Sequence, residues 1–283
     1  MEAKGKKIFI VYCSPAGATR HVAEVIENQA GELGAETVLL DLGTKADSAP
    51  VTAQIAAAGE NACLFIGSPV YASHAVPPVT DFINGLPEKT GASAVPFVTW
   101  GAVTSGIALH DMGKKLGEKG FRLAGAAKVV APHSMMWRSE DPLGKGHPDA
   151  DDDRMLREMV AEICKKTGNA DFPELSLTEL AYQPEAAREQ MEKSSLAAAK
   201  GHLPKREVDT GLCNECGTCA EVCPVDAITF SPWPEFGDRC ICCYNCVREC
   251  PETAIKADFS KLEQGIRVKA EKFVEQPLTR IFV

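Results

Sequence analysis

A cysteine repeat near the C-terminus constrains this chain more than any other feature. "CNECGTCAEVCPVDAI" (213–228) aligns with "CICCYNCVRECPETAI" (240–255) at an offset of 27 residues. The shared spacing, C-x2-C-x2-C-x3-C-P, comprises Cys213, Cys216, Cys219 and Cys223 in the first copy, and Cys240, Cys243, Cys246 and Cys250 in the second. Zinc sites usually pair two C-x2-C knuckles across a longer loop, and a triplet at spacing three, occurring twice, matches that poorly. Three thiolates so spaced wrap one iron–sulfide cube, while the fourth, past a turn, reaches the neighbouring cube. The assignment is Cys213, Cys216, Cys219 and Cys250 for one 4Fe-4S cluster, and Cys240, Cys243, Cys246 and Cys223 for the other. Cys242 lies outside the spacing and is expected to be no ligand. Ile228, Ile255 and Tyr244 either cover the cubes or fill the local core.

The other cysteines, Cys13, Cys63 and Cys164, are widely separated and read as structural. A secreted disulfide framework does not suit twelve cysteines of which nine fall in two tight runs. The start, "MEAKGKKIFIVYCSPAG", has an apolar run too short for a signal peptide and reads as a buried strand, so the cytoplasm is the expected location. No stretch is long enough to span a membrane. Thirty Lys and Arg against thirty-nine Asp and Glu give a net charge of −9. That balance argues against nucleic-acid binding and suits solubility, or docking on basic partners.

Residues 6–170 alternate short apolar strands with amphipathic stretches. Strands are expected at 7–13, 36–42, 62–68, 95–101 and 126–132. Helices are expected at 18–33, 77–85, 105–119 and 150–167, with a weaker candidate at 53–59. Strands apolar on both faces imply a parallel sheet covered on each side. Five of them predict an α/β doubly wound sheet, with its ligand crevice beyond the C-terminal strand ends. Residues 171–207 read as a connector with a helix near 185–200, 208–258 as a small α+β iron–sulfur domain, and 259–283 as a tail packing back on a domain.

Three loops fall on the crevice side. The first, Ser14, Pro15, Ala16, Gly17, Ala18 and Thr19, leads from a strand into a helix, where backbone N–H groups and the helix dipole suit a phosphate. A capped tight turn has the same look. The second is Pro69, Val70, Tyr71, Ala72 and Ser73. The third is Trp100, Gly101, Ala102, Val103, Thr104 and Gly106. Together they resemble the flavodoxin-like FMN-binding fold over roughly 6–168, and the cysteine segment resembles bacterial-type ferredoxins with two 4Fe-4S clusters. The flavodoxin resemblance implies the FMN phosphate on the first loop and its ring between the other two, with Tyr71 and Trp100 as ring contacts and Cys13 as the one outlying cysteine near the flavin. Ala16 departs from the family's usual hydroxyl, removing a hydrogen bond worth about 1.5–3 kcal/mol to a charged group. Arg20 is placed to compensate by charge. No G-x-G-x-x-G follows a strand, so direct NAD binding has no support.

The chain as a whole resembles flavodoxin–ferredoxin fusion proteins of anaerobic metabolism. The resemblance implies an electron-transfer protein passing single electrons between two 4Fe-4S clusters and FMN, and to or from redox partner proteins, with a homodimer as one arrangement. Two alternatives stand beside it. One is an FMN-dependent oxidoreductase with His133 as its candidate proton donor; the other is an iron–sulfur sensor or assembly factor. Asp149 to Asp153 lack calcium-loop spacing and read as complementing a helix N-terminus.

Overall fold

Apolar residues along the first strand, β1 (Lys7–Tyr12), decide the layering. Ile8, Ile10 and Tyr12 point to one face, and Phe9 and Val11 to the other, all buried. A strand with no wet face belongs inside a covered sheet. The computed structural model describes residues 6–273 and 275–283. Its sheet is built from β1, β2 (Glu36–Asp41), β3 (Ala62–Tyr71), β4 (Ser93–Trp100) and β5 (Ala126–Val130). These pair in parallel in the order 2-1-3-4-5. That is the flavodoxin-like doubly wound order, and the predicted fold class is the observed one.

Helices α1 (Ala18–Glu32) and α5 (Ala150–Thr167) cover one face. Helices α2 (Ala49–Ala58), α3 (Pro77–Gly85) and α4 (Ala108–Glu118) cover the other. The weak candidate at 53–59 is thus a full helix, starting four residues earlier with Pro50 in its first turn. Strand β3 runs three residues past the expected end, through Pro69, because its last residues turn back to pair antiparallel with His74–Ala75. The connector helix expected near 185–200 is two helices, Glu185–Glu192 and Leu196–Lys200. The break lies at Ser195, whose side chain caps the second helix by accepting the Ala198 N–H at 3.1 Å.

The tail extends the sheet. After the helix Ser260–Lys272, strand β6 (Arg280–Phe282) pairs antiparallel with β5. This covers the exposed edge of β5, a position that otherwise invites pairing with other chains. It also encloses Lys128, whose side chain is 0 % exposed in the middle of β5. Burial pulls the Lys128 pKa down, and the ion pair with Glu275 of the tail opposes that shift. The Glu275 carboxylate also accepts the Ser105 N–H and the Thr104 hydroxyl, each at 3.0 Å. Removing one member of a buried pair strands the other charge. Glu275→Ala is therefore expected to lower unfolding free energy in urea by about 3–5 kcal/mol. The double variant Lys128→Met, Glu275→Ala should lose less than the sum of the single losses.

Candidate metal centre

The two cysteine copies share one backbone path. Residues in the left-handed region recur 27 positions apart: Glu215 (φ 60°) with Cys242 (55°), Gly217 (81°) with Tyr244 (59°), and Asp226 (48°) with Thr253 (50°). Each reverses the chain locally, so that thiols three residues apart turn towards a common centre. Such conformations are strained for non-glycine residues, and three matched pairs mark a duplicated structural requirement. The hydrogen bonds repeat as well. Cys223 Sγ accepts the Ala227 N–H and Cys250 Sγ accepts the Ala254 N–H, each at 3.3 Å. The unit closes through antiparallel pairing of Glu207–Val208 with Ile255–Lys256.

Cys240, Cys243 and Cys246 line one small cavity together with Cys223 from the other copy. Arg206, Val225, Ile228, Ile241 and Tyr244 complete its wall. Burial pushes the Cys243 thiol up to about 12 and raises Cys246 as well. Cys240 is drawn down to about 5 by the thiol of Cys242, by the Cys242 N–H and by the Arg206 guanidinium. Four sulfurs facing one apolar hollow, with N–H donors at two of them, fit a cluster of cationic iron that replaces their protons. Cys242 is buried outside this cavity wall, in the left-handed position that Glu215 fills in the first copy.

The remaining four cysteines differ in exposure. Cys219 is buried and Cys250 packs beside it in the same apolar group, whereas Cys213 is half-buried and Cys216 exposed. The Cys216 thiol lies 3.3 Å from the Thr218 hydroxyl, which draws its pKa down. Among the described cysteines Cys216 alone is exposed, and it marks the outer side of the unit. The inner side is turned to the sheet, where Ile241 and Cys243 belong to the same buried group as Cys13 and pack with Val70 and Tyr71.

The iron–sulfur unit therefore covers the crevice at the strand ends. Arg248 donates to the Pro15 carbonyl at 3.3 Å and to the Ser134 carbonyl at 3.1 Å. Lys45 meets Asp226 at 2.6 Å. The first loop keeps the shape of a phosphate cradle, Gly17 (φ 92°) leading into α1, but its hydroxyls are engaged. Ser14 Oγ accepts the Arg20 N–H at 2.8 Å, and Thr19 Oγ1 pairs with Thr99 Oγ1 at 2.8 Å. Arg20 pairs with Asp41 at 3.0 Å. An open cleft of Ser14, Gly17, Arg20, Asn245 and Arg248 lies beside this loop.

The two ring loops close on the chain itself. Ala72, Ser73 and Ala102 hold left-handed backbones (φ 48°, 72° and 58°). A Cβ on Gly106 (φ 62°) would sit 2.2 Å from the Ser73 carbonyl oxygen. Trp100 Nε1 donates to the Leu278 carbonyl at 3.0 Å, so this ring belongs to the tail contact. The Tyr71 hydroxyl is buried without a partner among the described residues. The three loops lie together at the C-terminal strand ends, where Ile241, Cys243, Arg248 and the tail pack against them.

His133 packs against Gly101, and its Nδ1 accepts the Met135 N–H at 3.3 Å. Burial, with Lys269 nearby, pushes its pKa down to about 4. A neutral, enclosed imidazole in a turn is a poor proton donor near neutrality. Asp149 caps α5, accepting the Asp151 and Asp152 N–H groups, and the acids beside it sit in the first helical turn. Arg206, Ile241, Arg248 and Glu275 were not singled out from the sequence. The two arginines had one signal: they are two of only four bases among ten acids across 206–258.

A family model described as a 4Fe-4S binding domain matches residues 206–229. No curated protein sequence matches the chain. Among solved structures, the chain is similar to rubredoxin oxygen:oxidoreductase of Desulfovibrio gigas, at 18 % identity and TM-score 0.46, covering 59 % of this chain and 38 % of that one. Flavodoxin 1 from Bacillus cereus follows at 17 % identity and TM-score 0.44, covering 56 % of this chain and 98 % of that one. A flavodoxin from the domain Archaea gives 16 % and 0.43, covering 58 % and 99 %.

His74 ties the second loop to the connector. Nδ1 meets Asp111 at 2.9 Å, while Nε2 meets the Met191 and Ser194 carbonyls at 3.1 and 3.0 Å. With acceptors at both nitrogens, only the doubly protonated imidazolium satisfies all of these contacts. The Asp111 hydrogen bond raises its pKa above 6.5, against partial burial. A raised folded-state pKa contributes stability that is complete below the unfolded value of about 6.5 and disappears as pH rises through the folded value. Hydrogen exchange at 185–200, corrected for intrinsic rate, should accelerate as pH climbs from about 6 to about 8.5. His74→Ala should be fast at both ends of that range.

Proposed function

We propose that this protein carries single electrons through two 4Fe-4S clusters, an inner one on Cys223, Cys240, Cys243 and Cys246 and an outer one on Cys213, Cys216, Cys219 and Cys250. The observation that carries this reading is the convergence of Cys223, from one copy, with three cysteines of the other around a single cavity. The matched left-handed residues and sulfur hydrogen bonds support an equivalent outer site. When bound, such clusters accept and release one electron at a time. The chain's own residues hold them and exclude water on the inner side through Ile228, Ile241 and Tyr244. The exposed Cys216 edge is the side open to redox partner proteins.

The doubly wound fold and its first loop support FMN as a cofactor of the N-terminal domain, with the phosphate end at Ser14 to Thr19. At the ring end of this arrangement lie Ile241, Cys243 and the tail contact at Trp100. None of the described helices is long and apolar enough to cross a membrane.

Anaerobic purification tests the reading. About eight irons and eight sulfides per chain are expected, and four would reduce the proposal to one cluster. Flavin released on denaturation is read from the same sample. One FMN per chain is expected, and its absence makes the clusters the sole carriers. Light scattering on that sample reads a homodimer. Cys242→Ser should keep all eight irons, whereas Cys223→Ser should disturb the cluster of Cys240, Cys243 and Cys246. Equal iron loss in both variants would overturn the ligand assignment.

A further inference from the structure

The two cysteine sets repeat each other in backbone conformation and in the N–H donors to Cys223 and Cys250, but Cys240 also receives the Cys242 N–H and a charged side chain. Arg206 Nη1 donates to Cys240 Sγ at 3.0 Å. The guanidinium also lines the inner cavity, stacked 4.2 Å from the centre of Phe236 and facing Tyr244 at 5.7 Å. Arg206 precedes the repeat, so the outer set has no counterpart from within it. At the outer sulfurs the side-chain contact is the neutral Thr218 hydroxyl on Cys216.

We infer that Arg206 is a tuning residue that holds the inner cluster at the higher reduction potential of the two, so that an electron arriving at the exposed side moves inward. The inference rests on the two-cluster reading above. In the step, the outer cluster loses one electron and the inner cluster gains one. No bond is made or broken and no proton is transferred. The electron enters from a low-potential one-electron donor.

Two effects oppose each other. Reduction adds negative charge, which burial disfavours, so the enclosed inner cluster by itself has the lower potential. A guanidinium within hydrogen-bond distance of a ligand sulfur favours the more negative state. Its effect is strengthened because Phe236 and Tyr244 shield it from water. A hydrogen bond to a charged group amounts to about 1.5–3 kcal/mol, roughly a tenfold or greater change in the reduced-to-oxidised ratio. One such contact, acting with a full positive charge, outweighs the enclosure, because Cys240 itself is only half-buried.

The test is a dithionite titration of the full-length, anaerobically purified protein, followed by electron paramagnetic resonance, for the wild type, Arg206→Lys and Arg206→Met. Iron content is measured for each. The wild type should show two midpoints. Arg206→Met should lower only the higher one, so that at the wild-type midpoint the reduced-to-oxidised ratio of that cluster falls about tenfold or more. Arg206→Lys keeps the charge without the planar fork and should fall between; if the Met variant loses iron, the Lys variant carries the comparison. A shift in the lower midpoint, equal shifts in both, or no shift would overturn the inference while leaving the two-cluster reading intact. Four irons in the wild type would instead overturn that reading, and the ordering with it.

Discussion

Buried thiols shape this molecule. Cys223, Cys243 and Cys246 are each less than a tenth exposed and face one another across a hollow lined by Val225, Ile228, Ile241 and Tyr244. Burial opposes ionisation of Cys243 and Cys246, and thiolates gathered in an apolar space repel one another. Such a group persists as a ligand set only with a cation between its members. That requirement explains the left-handed backbone at Cys242 and Tyr244 and the crossing of Cys223 from the other copy. Because Cys223 lines the hollow of the second copy, that thiol set is incomplete without the first copy.

The same hollow governs how the two domains meet. A doubly wound sheet presents its ligand crevice at the C-terminal strand ends, and here that crevice holds the apolar wall of the inner site. Ile241 and Cys243 pack with Cys13, Val70 and Tyr71, so the surface that excludes water from the sulfurs also fills the crevice. Arg248 fixes the contact from the polar side by binding the Pro15 and Ser134 carbonyls. The connector and tail hold the arrangement from behind, through His74 with the carbonyls of 191 and 194, and through Glu275 with Ser105.

How much of this was legible depends on whether the cause is local. Short runs apolar on both faces, β1 among them, indicated five parallel strands, because their cause lies in consecutive residues. The cysteine spacing exposed the duplication for the same reason. The split of the connector at Ser195 had a local sign in the Ser-Ser pair before a small-residue helix, although an unbroken Ala-rich run masked it. The sheet's sixth strand was harder. A Lys in the middle of "AAKVV" indicates a buried cation in need of a carboxylate, yet nothing local selects Glu275 from thirty-nine acids. Filling of the crevice by Ile241 had no local sign, since that isoleucine suits any core. The loops at 69–73 and 101–106 carry the composition of ring-binding loops whether a flavin or the chain itself occupies the space between them.

The duplication also shows where the two sites were free to diverge. The left-handed positions of the backbone are matched. The side chains differ: Glu215 against Cys242, Gly217 against Tyr244, and Thr218 on Cys216 against Arg206 on Cys240. At each of these positions the inner site has the larger or less polar group, or the charged donor. Cys242 and Tyr244 add apolar bulk where the unit meets the rest of the chain, and the Tyr244 hydroxyl finds the Pro204 carbonyl at 2.6 Å. Where bulk reduces contact with water, the charge of Arg206, held against Phe236 and Tyr244, acts more strongly on the sulfur beside it. Enclosure and Arg206 thus act as one device: the first lowers the dielectric in which the second works.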